Sequence, residues 1–476
     1  MASVAVARNR KSLDTNKLHR ADQPVHGWYR FVLSFPPHLV REYLHRFGGS
    51  AGQRVLDPFC GTGTTLVECK RVAIKSVGIE ANPVAHFASE VKVDWAPDAD
   101  GLVAHAEGVA AAAVAELASQ GIDDIALLRD ARCDEGSLRT LPPEAAKLLL
   151  KDSISPLPLH KALVLLDAVR GHHDDRYSRH ESLALAAVLP SAVGNLEFGP
   201  EVGVGPPKTD AAVVDPWLTQ VRQMARDLRG LGGQLGAPAV VHLADARRVV
   251  PLLGPRSIDA VITSPPYPNE KDYTRITRLE AVLLGFIRDR ADLQGQKRHL
   301  MRSNTRNVYK GDDDDTLVAA HAEVQRIADQ IEARRVALGK TSGFERLYPR
   351  VVKLYFGGMT RHLADLRPTL RPGAQLAYVV GDQASYLRVM IRTGQLLADI
   401  AQSLGYELIG IDLFRTRLAT ATREQLREET VVLRWPGEGG GNWRGCDRAL
   451  AEKHYRLVPP EQVSPEDLES YRKRSD

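Results

Sequence analysis

Apolar and polar residues alternate along this chain in a way that predicts short buried strands separated by helices. Buried strands are predicted at residues 54–59 and 75–83, with helical spacing over 66–72 between them. Such a strand, helix and strand unit begins a parallel sheet. Later apolar runs predict strands at 237–247, 257–267, 373–382, 406–414 and 429–435, and we expect the last two to pair as antiparallel edge strands.

Two long stretches interrupt this alternation and predict insertions in an α/β core. Residues 97–235 are rich in Ala and Leu at helical spacing, which indicates a helical insertion. Residues 288–345 contain a basic stretch, four consecutive aspartates and a further helical pattern. The expected organisation is therefore a flexible N-terminal arm at 1–24, a core domain formed by 25–96 and 236–436, the two insertions, and a Gly-rich C-terminal tail at 437–476.

Composition narrows the class of protein without identifying it. The 476 residues are 43% hydrophobic and 26% charged, which excludes a collagenous or wholly disordered chain. The formal charge of +4 is too mild to indicate a nucleic-acid partner by itself. Its distribution is more informative, because Arg288 to Lys310 contains seven basic and two acidic residues.

The four cysteines are scattered without a CxxC pair, so neither a disulfide framework nor a zinc site is predicted. The cluster from His172 to Asp175 is expected to be a solvated turn, and no metal is predicted. The N-terminus lacks the apolar segment of a signal peptide, and no run approaches the roughly 18 apolar residues of a membrane span. These features predict a cytoplasmic protein.

The segment DPFCGTGTT at 57–65 follows the first predicted strand, where a doubly wound sheet binds nucleotide-type ligands. Gly61 and Gly63 allow a sharp turn and close approach of a ligand. No lysine follows Gly63, as a phosphate loop requires, and Val67 stands where the dinucleotide pattern needs glycine. A cationic ligand would be served by Asp57, and Glu80 lies at the spacing of a ribose-binding acid. A tight turn with polar caps is the structural alternative.

The segment Ser264-Pro265-Pro266-Tyr267 ends the predicted strand at 257–267, so it also projects from a carboxyl edge of the sheet. Two prolines remove two amide donors and leave a stiff loop whose carbonyls act as acceptors. In a doubly wound order this loop is expected beside the Asp57 loop. A proline-rich turn with a core tyrosine is the alternative if the motif is taken alone.

DPFCGTGTT, Glu80, the DAR segment at 245–247 and TSPPY at 263–267 together resemble the amino-group DNA methyltransferases of the N4-cytosine/N6-adenine family. This resemblance implies a Rossmann-like, seven-stranded S-adenosylmethionine-dependent methyltransferase sheet with helical insertions. GWYRFVLSFPPHLV at 27–40 resembles the motif of that family that contacts the methionine part of the cofactor. The residues expected to bind S-adenosylmethionine are Phe35, Pro36, Asp57, Pro58, Phe59, Gly61, Gly63, Thr64, Glu80, Asn82 and Asp245, with a helix cap as the alternative role of Asp245.

The catalytic residues implied by the resemblance are Ser264, Pro265, Pro266 and Tyr267. Loop carbonyls would accept the protons of an exocyclic base amine and localise its lone pair for direct displacement. Tyr267 would stack on a base flipped out of the duplex. Serine rather than aspartate at 264 favours N4 of cytosine within this family, with N6 of adenine as the alternative. Carbon-5 methylation is disfavoured because its Pro-Cys motif is absent, and Cys60 is expected to be a small packed thiol.

Two other functions stay open at this point. RNA guanine-N2 methyltransferases have a similar layout, although Ser264 replaces their usual Asn or Asp. A DNA-binding subunit without catalysis would be compatible with the two unmatched insertions. Under the favoured interpretation the partners are double-stranded DNA and a cognate restriction endonuclease, and the insertion at 97–235 is the candidate target-recognition region.

The basic stretch provides the candidate DNA contacts. Arginine, lysine and asparagine side chains suit phosphates and base edges. An equally plausible interpretation is a solvated surface loop, and the run from Asp312 to Asp315 is expected to be an acidic surface loop. The residues predicted to contact DNA are Arg302, Asn304, Arg306, Asn307 and Lys310.

Overall fold

A computed structural model describes residues 18–30, 34–125, 135–198, 202–233, 236–418 and 425–437. Seven strands form one sheet in the order β5-β2-β1-β6-β7-β9-β8, and β3 and β4 form a separate antiparallel hairpin. This sheet confirms the predicted α/β class and strand number. The strands are β1 (Arg54–Asp57), β2 (Lys75–Glu80), β3 (Leu196–Phe198), β4 (Val202–Val204), β5 (Ala239–Leu243), β6 (Ile258–Thr263), β7 (Leu370–Gly381), β8 (Glu407–Leu418) and β9 (Gln425–Arg434).

Parallel and antiparallel pairing divide the sheet. β1 pairs with β2, β2 with β5, and β6 with β7 in parallel, whereas β9 is antiparallel to both β7 and β8. The expectation that the last two strands are both edge strands is therefore wrong for β9. Thr430 and the apolar residues 431–433 are fully buried, as an interior strand requires, while Ile409 and Leu413 of β8 are about half exposed.

The helices follow the predicted pattern closely, with boundaries that differ by a few residues. The helix predicted at 66–72 spans Thr64–Arg71, and the helical pattern predicted within 288–345 includes a helix at Ala322–Ala337. The helices are α1 (Gln23–His26), α2 (Pro37–Arg46), α3 (Thr64–Arg71), α4 (Pro83–Lys92), α5 (Ala99–Ser119), α6 (Pro143–Ala146), α7 (Pro156–Gly171), α8 (Ser178–Val188), α9 (Val214–Gly230), α10 (Tyr273–Ile276), α11 (Arg278–Leu283), α12 (Arg290–His299), α13 (Ala322–Ala337), α14 (Gly343–Leu366) and α15 (Thr393–Ser403).

The chain divides into two compact units. The described residues within 18–244 and 271–300 form the first, which we call the N-terminal unit, and those within 245–270 and 301–437 form the second, the C-terminal unit. Most of the predicted arm at 1–24 and the tail at 437–476 lie outside the described residues.

A large apolar cluster holds the N-terminal unit together. Trp28 and Trp217 are fully buried in it, and the Trp28 indole donates a hydrogen bond to Asp227 Oδ2 at 2.8 Å. Within the described residues, α5 alone is long and apolar enough to cross a membrane, although the sequence patterns had predicted no such run. The buried residues of α5 recur every three or four positions and belong to the apolar cluster, so this helix has the pattern of a core helix.

A glycine in α14, Gly357, lies where the segment at Asp314 crosses the helix. A Cβ atom on Gly357 would lie 1.8 Å from the Asp314 carbonyl oxygen, so only glycine lets this segment pack directly on the helix. Asp314 is itself buried and bonds to Arg247 at 2.7 Å and to Arg361. Arg302 bonds to Asp312. The expectation of an acidic surface loop at 312–315 is therefore wrong for Asp314, which is buried between arginines, whereas Asp313 is exposed as expected.

Candidate functional site

The Asp57 loop of the N-terminal unit turns through two glycines in the left-handed region. Gly61 has φ +52° and Gly63 has φ +84°. A Cβ atom on Gly63 would lie 2.6 Å from Ser89 Oγ, so packing against α4 requires glycine there. A Cβ atom on Gly61 would meet no described atom within 4 Å. The turn therefore leaves open space at Gly61, where a ligand can approach the backbone.

Glu80 ties the end of β2 to this turn. Its Oε2 accepts a hydrogen bond from the Gly61 amide at 2.9 Å, and its Oε1 accepts one from the Asn82 amide at 2.7 Å. Burial raises the pKa of Glu80 to about 7, against the lowering effect of these two bonds. The Ala81 amide also bonds to this carboxylate, which as an anion has about four acceptor positions, so acceptor capacity remains for one further donor. The structure thus brings together the acid and the glycine turn that the sequence pattern had linked.

Asn82, predicted to bind the cofactor, has its side chain engaged within the protein. Its Oδ1 accepts hydrogen bonds from Val84 and Ala85 amides and so caps α4. Its Nδ2 donates to Thr277 Oγ1 at 3.0 Å. These bonds hold Asn82 in place, and its backbone amide in turn donates to the Glu80 carboxylate. A direct contact of Asn82 with the cofactor stays a prediction.

A buried network beside this turn was missed by the sequence patterns. Lys92 donates hydrogen bonds to the Tyr29 carbonyl at 2.6 Å and to Thr62 Oγ1 at 3.3 Å. The Tyr29 phenol in turn bonds to Glu280. Burial lowers the pKa of Lys92 to about 7 and raises the pKa of Glu280 to about 7. The aromatic run around Tyr29 was a signal for a buried segment, but Lys92 and Glu280 belong to no motif.

The other residues predicted for the cofactor, apart from Asp245, occupy the N-terminal unit. Asp57, at the end of β1, is fully buried and its Oδ1 accepts the Phe59 amide at 3.2 Å. Pro36 is buried directly before α2, and Phe35 is half-buried. Thr64 is buried at the first residue of α3 and Pro58 is buried in the loop.

Cys60 is a packed thiol, as predicted. It is almost completely buried, and a Cβ atom on Gly78 would lie 2.8 Å from its Sγ. Burial raises the pKa of Cys60 well above its usual value, with the charges of Asp57 and Glu80 adding to the effect. A thiol with a raised pKa is a poor nucleophile. Within the described residues, no group of three His, Cys, Asp or Glu side chains has metal-binding geometry.

The second loop, Ser264 to Tyr267, lies in the C-terminal unit at the end of β6. The Ser264 hydroxyl donates a hydrogen bond to the Val379 carbonyl of β7 at 3.1 Å. Pro265 is buried, and Pro266 and Tyr267 are half-buried. A Cβ atom on Gly381 would lie 3.0 Å from Tyr267 Cε2, so the tyrosine ring lies against the backbone at the end of β7. The serine hydroxyl therefore anchors the loop to the neighbouring strand.

Glu270, three residues beyond Tyr267, fastens the far end of this loop. It adopts φ +65°, which is uncommon for a residue with a side chain. Its carboxylate accepts hydrogen bonds from the Thr305 amide and hydroxyl, both at 2.9 Å, and its amide donates to the Ser303 carbonyl at 3.2 Å. The catalytic-loop candidate is thus joined to the segment 303–305.

Asp245 lies in the turn that follows β5, and no helix begins between it and β6, all of whose residues the structure describes, so the helix-cap alternative is not confirmed. Its Oδ1 accepts the Arg247 amide at 2.9 Å, and its carboxylate pairs with the Arg247 guanidinium at 2.6 Å. Arg247 also bonds to Asp314. Asp245 is therefore already neutralised within the C-terminal unit, and its contact with an adenine amine stays a prediction.

The five residues predicted to contact DNA separate into two groups. Arg302, Asn304 and Asn307 are almost completely buried. Arg302 pairs with Asp312 and lies over the Tyr309 ring at 5.3 Å, and Asn307 donates to the Met301 carbonyl. Their burial corrects the expectation that they reach DNA, and the contacts of Arg302 and Asn307 are made within the segment 301–312. Arg306 and Lys310 are exposed and remain predicted DNA contacts.

Comparison with known proteins finds similarity to DNA methyltransferases. A family model described as DNA methylase, for N6 and N4 methyltransferases, matches residues 4–90. The chain is 27% identical to the Type II methyltransferase M.BsoBI of Geobacillus stearothermophilus over 463 residues, which covers 90% of this chain and 87% of that protein. It is 24% identical to the Type II methyltransferase M.AvaI of Nostoc sp. over 481 residues, covering 91% and 90%. The Type II methyltransferase M.MjaII of Methanocaldococcus jannaschii is 41% identical over 69 residues, 14% of this chain and 13% of that protein.

Proposed function

We propose that this chain, which belongs to the amino-group DNA methyltransferases of the N4-cytosine/N6-adenine family, transfers a methyl group from S-adenosylmethionine to N4 of cytosine in DNA. The observation that supports it best is the hydrogen bond from the Gly61 amide to Glu80 Oε2, which joins a glycine turn to an acid at the ends of β1 and β2. That arrangement suits the ribose of a nucleoside ligand better than a phosphate, since the loop has no lysine.

The residues of the Asp57 loop fit S-adenosylmethionine. Glu80 retains acceptor capacity for a ribose hydroxyl, and the space at Gly61 admits a ligand against the backbone. Asp57 supplies negative charge for the cationic methionine part, and Phe35 and Pro36 would pack on it. When bound, S-adenosylmethionine supplies an electrophilic methyl group on a positively charged sulfur.

The acceptor base would be handled by the loop from Ser264 to Tyr267. Because the Ser264 hydroxyl is bonded to Val379, the backbone carbonyls of Ser264 and Pro265 are the acceptors we assign to the amine protons. Accepting both protons localises the nitrogen lone pair and orients it. Tyr267, held against Gly381, offers its other surface for stacking of a flipped base.

A direct displacement without a covalent intermediate follows from the side chains available. Cys60 is buried with a raised pKa, so it is unsuited to attack a base. Methyl transfer would release S-adenosylhomocysteine, and the cationic amine, hydrogen-bonded to the loop carbonyls, would then give its extra proton to water. The preference for cytosine over adenine depends on Ser264 in place of aspartate.

We also propose double-stranded DNA as the substrate and a restriction endonuclease as the functional partner. This proposal depends on the likeness to the two Type II methyltransferases that match along nearly the whole chain. Plasmid methylated by the protein should resist cleavage at its target sequence by a nuclease of matching specificity.

Nucleoside mass spectrometry of treated DNA tests the reaction. Duplex DNA incubated with the protein and S-adenosylmethionine should yield N4-methylcytosine, and the Asp57→Ala variant should yield little. N6-methyladenine would move the acceptor to adenine. Methylation of tRNA guanine with no product in DNA would overturn the proposal in favour of an RNA methyltransferase.

A further inference from the structure

A short loop in the C-terminal unit combines backbone strain with firm anchoring. Residues 384–390 connect β7 to α15, and their ends are closed by two backbone bonds between Gln383 and Ile391, at 3.0 and 2.7 Å. At its tip, Leu387 and Arg388 have φ +53° and +63°. Two consecutive left-handed residues with side chains are unfavourable and persist where surrounding contacts enforce them, typically at functional sites.

Tyr386 supplies that enforcement. Its side chain is fully buried, and its phenol donates a hydrogen bond to the Ser303 carbonyl at 2.8 Å. Its ring packs against the Tyr348 ring of α14 at a centroid distance of 5.0 Å. The strained tip is therefore fixed to the segment that Glu270 joins to the Tyr267 loop.

Arg306 is an exposed cation near the face of α14 that carries Tyr348. Phe344 and Tyr348 are four residues apart, so they share one face of the helix. The Arg306 guanidinium lies 5.9 Å from the centroid of the exposed Phe344 ring. Arg306 and the loop 384–390 thus pack on neighbouring aromatic positions of one helix face.

These two arginines differ from the others around them. Arg302, Arg392 and Arg427 pair with aspartates. Arg306 and Arg388 are exposed, and neither has a carboxylate partner in the described part of the chain. An exposed guanidinium that the protein does not neutralise suits a polyanion.

We infer that Arg388 and Arg306 form one surface that binds the phosphate backbone of DNA beside the Tyr267 loop. Arg388 lies on the strained loop 384–390 and Arg306 on the turn Thr305–Asn307. This inference depends on the proposed function. The buried residues Tyr386, Ser303 and Glu270 fix the surface to the catalytic loop, so gripping phosphates would set the register of the target base against Tyr267.

The salt dependence of DNA binding tests this surface. The affinity for a fluorescent duplex is measured by anisotropy at several salt concentrations for wild type, Arg388→Gly, Arg306→Ala and the double variant. Each lost phosphate contact should reduce the slope of log K against log salt by about 0.9, and the double variant by about twice that. Arg388→Lys keeps the charge and should keep the slope. If the arginine had only a structural role, lysine would not restore the wild-type slope.

Two controls keep the outcome interpretable. Arg371→Ala removes one exposed charge at the start of β7, roughly 30 Å along the strand from Gly381, and should leave the slope unchanged. Glycine tolerates φ +63°, so Arg388→Gly should not lower the Tm. Unchanged slopes for both single variants, in a wild type that methylates DNA, would overturn this inference alone. A wild type that neither binds nor methylates DNA would overturn the proposed function.

Discussion

The phenol of Tyr29 donates a hydrogen bond to Glu280 Oε1 at 2.7 Å, across 251 residues of sequence. Both side chains are buried, and Glu280 Oε2 has no hydrogen-bond partner among the described residues. Burial raises the pKa of Glu280 to about 7, and the bond from Tyr29 opposes this rise only in part. The pair joins the segment before α2 to α11. It therefore helps to position Tyr29, whose carbonyl is bonded through Lys92 to Thr62 of the Asp57 loop.

Glu280→Gln should flatten the dependence of stability on pH. The folded protein binds a proton at Glu280 up to about pH 7, whereas the unfolded chain releases it near 4.5. The free energy of unfolding therefore falls as pH rises from about 4.5 to 7, by roughly 3 kcal/mol for this group. Urea unfolding at pH 5 and pH 8 measures the difference. The exposed Glu144→Gln serves as control, and equal losses in wild type and Glu280→Gln would contradict the prediction.

Local sequence patterns predicted the strands and loops because each of these features is encoded by a few consecutive residues. The strand ending at Asp57, the glycine turn and the strand ending at Glu80 are such features, and their hydrogen bond in the structure agrees with the expected spacing. The position of β9 between β7 and β8 was not predicted, because an apolar run indicates burial and not which neighbours provide it.

Contacts between residues far apart in sequence explain the remaining differences between the predictions and the structure. Arg302 and Asp314 were both expected at the surface, since charge in a local window favours solvent. Each is buried because a partner far along the chain, or across a turn, neutralises it. Lys92 and Glu280 belong to no motif, so only the tertiary structure identifies them.

Lys92→Met should weaken cofactor binding. Lys92 holds Thr62 of the Asp57 loop to the Tyr29 carbonyl, and methionine fills the space without either bond. We expect the Kd for S-adenosylmethionine to rise about tenfold, equivalent to about 1.4 kcal/mol. Calorimetry checks this, with the exposed Lys75→Met as control.

The same variant should also change stability at alkaline pH. Burial lowers the pKa of Lys92 to about 7 from its ordinary 10.5, so the folded state binds fewer protons in that interval. Wild type should therefore gain stability as pH rises from about 7 to 10.5, and Lys92→Met should not. A parallel gain in both proteins would disprove this role of Lys92.

Alanine at the two glycines of the Asp57 loop should separate folding from binding. Gly61→Ala adds a methyl group into open space at φ +52°, with an expected cost of about 1 kcal/mol. Gly63→Ala adds the same strain and a clash with Ser89 Oγ, so it should lower the Tm more. Thermal unfolding and cofactor titration of both variants check this. Gly61→Ala should lose cofactor affinity out of proportion to its Tm, and a normal affinity would contradict a ligand at Gly61.

Asp314→Asn should destabilise the C-terminal unit. Its buried carboxylate bonds to Arg247 and Arg361, so the substitution leaves two guanidinium groups poorly compensated. Breaking such a buried pair costs about 3–5 kcal/mol. Denaturant unfolding measures it, and the neighbouring exposed Asp313→Asn should change stability by less than about 1 kcal/mol.

Asp57→Ala and Tyr267→Ala should have opposite effects on the two ligands. Asp57 ends β1 in the glycine loop, so its loss should raise the Kd for S-adenosylmethionine with little change in DNA affinity. Tyr267 lies against Gly381 beside the catalytic loop, so its loss should impair base handling and leave cofactor affinity intact. Removing the stacking surface should cost about 1–3 kcal/mol, a loss of roughly 5- to 150-fold in kcat/KM for DNA. Calorimetry with the cofactor and steady-state kinetics with duplex DNA separate the effects. Equal cofactor affinity in wild type and Asp57→Ala would remove Asp57 from the site.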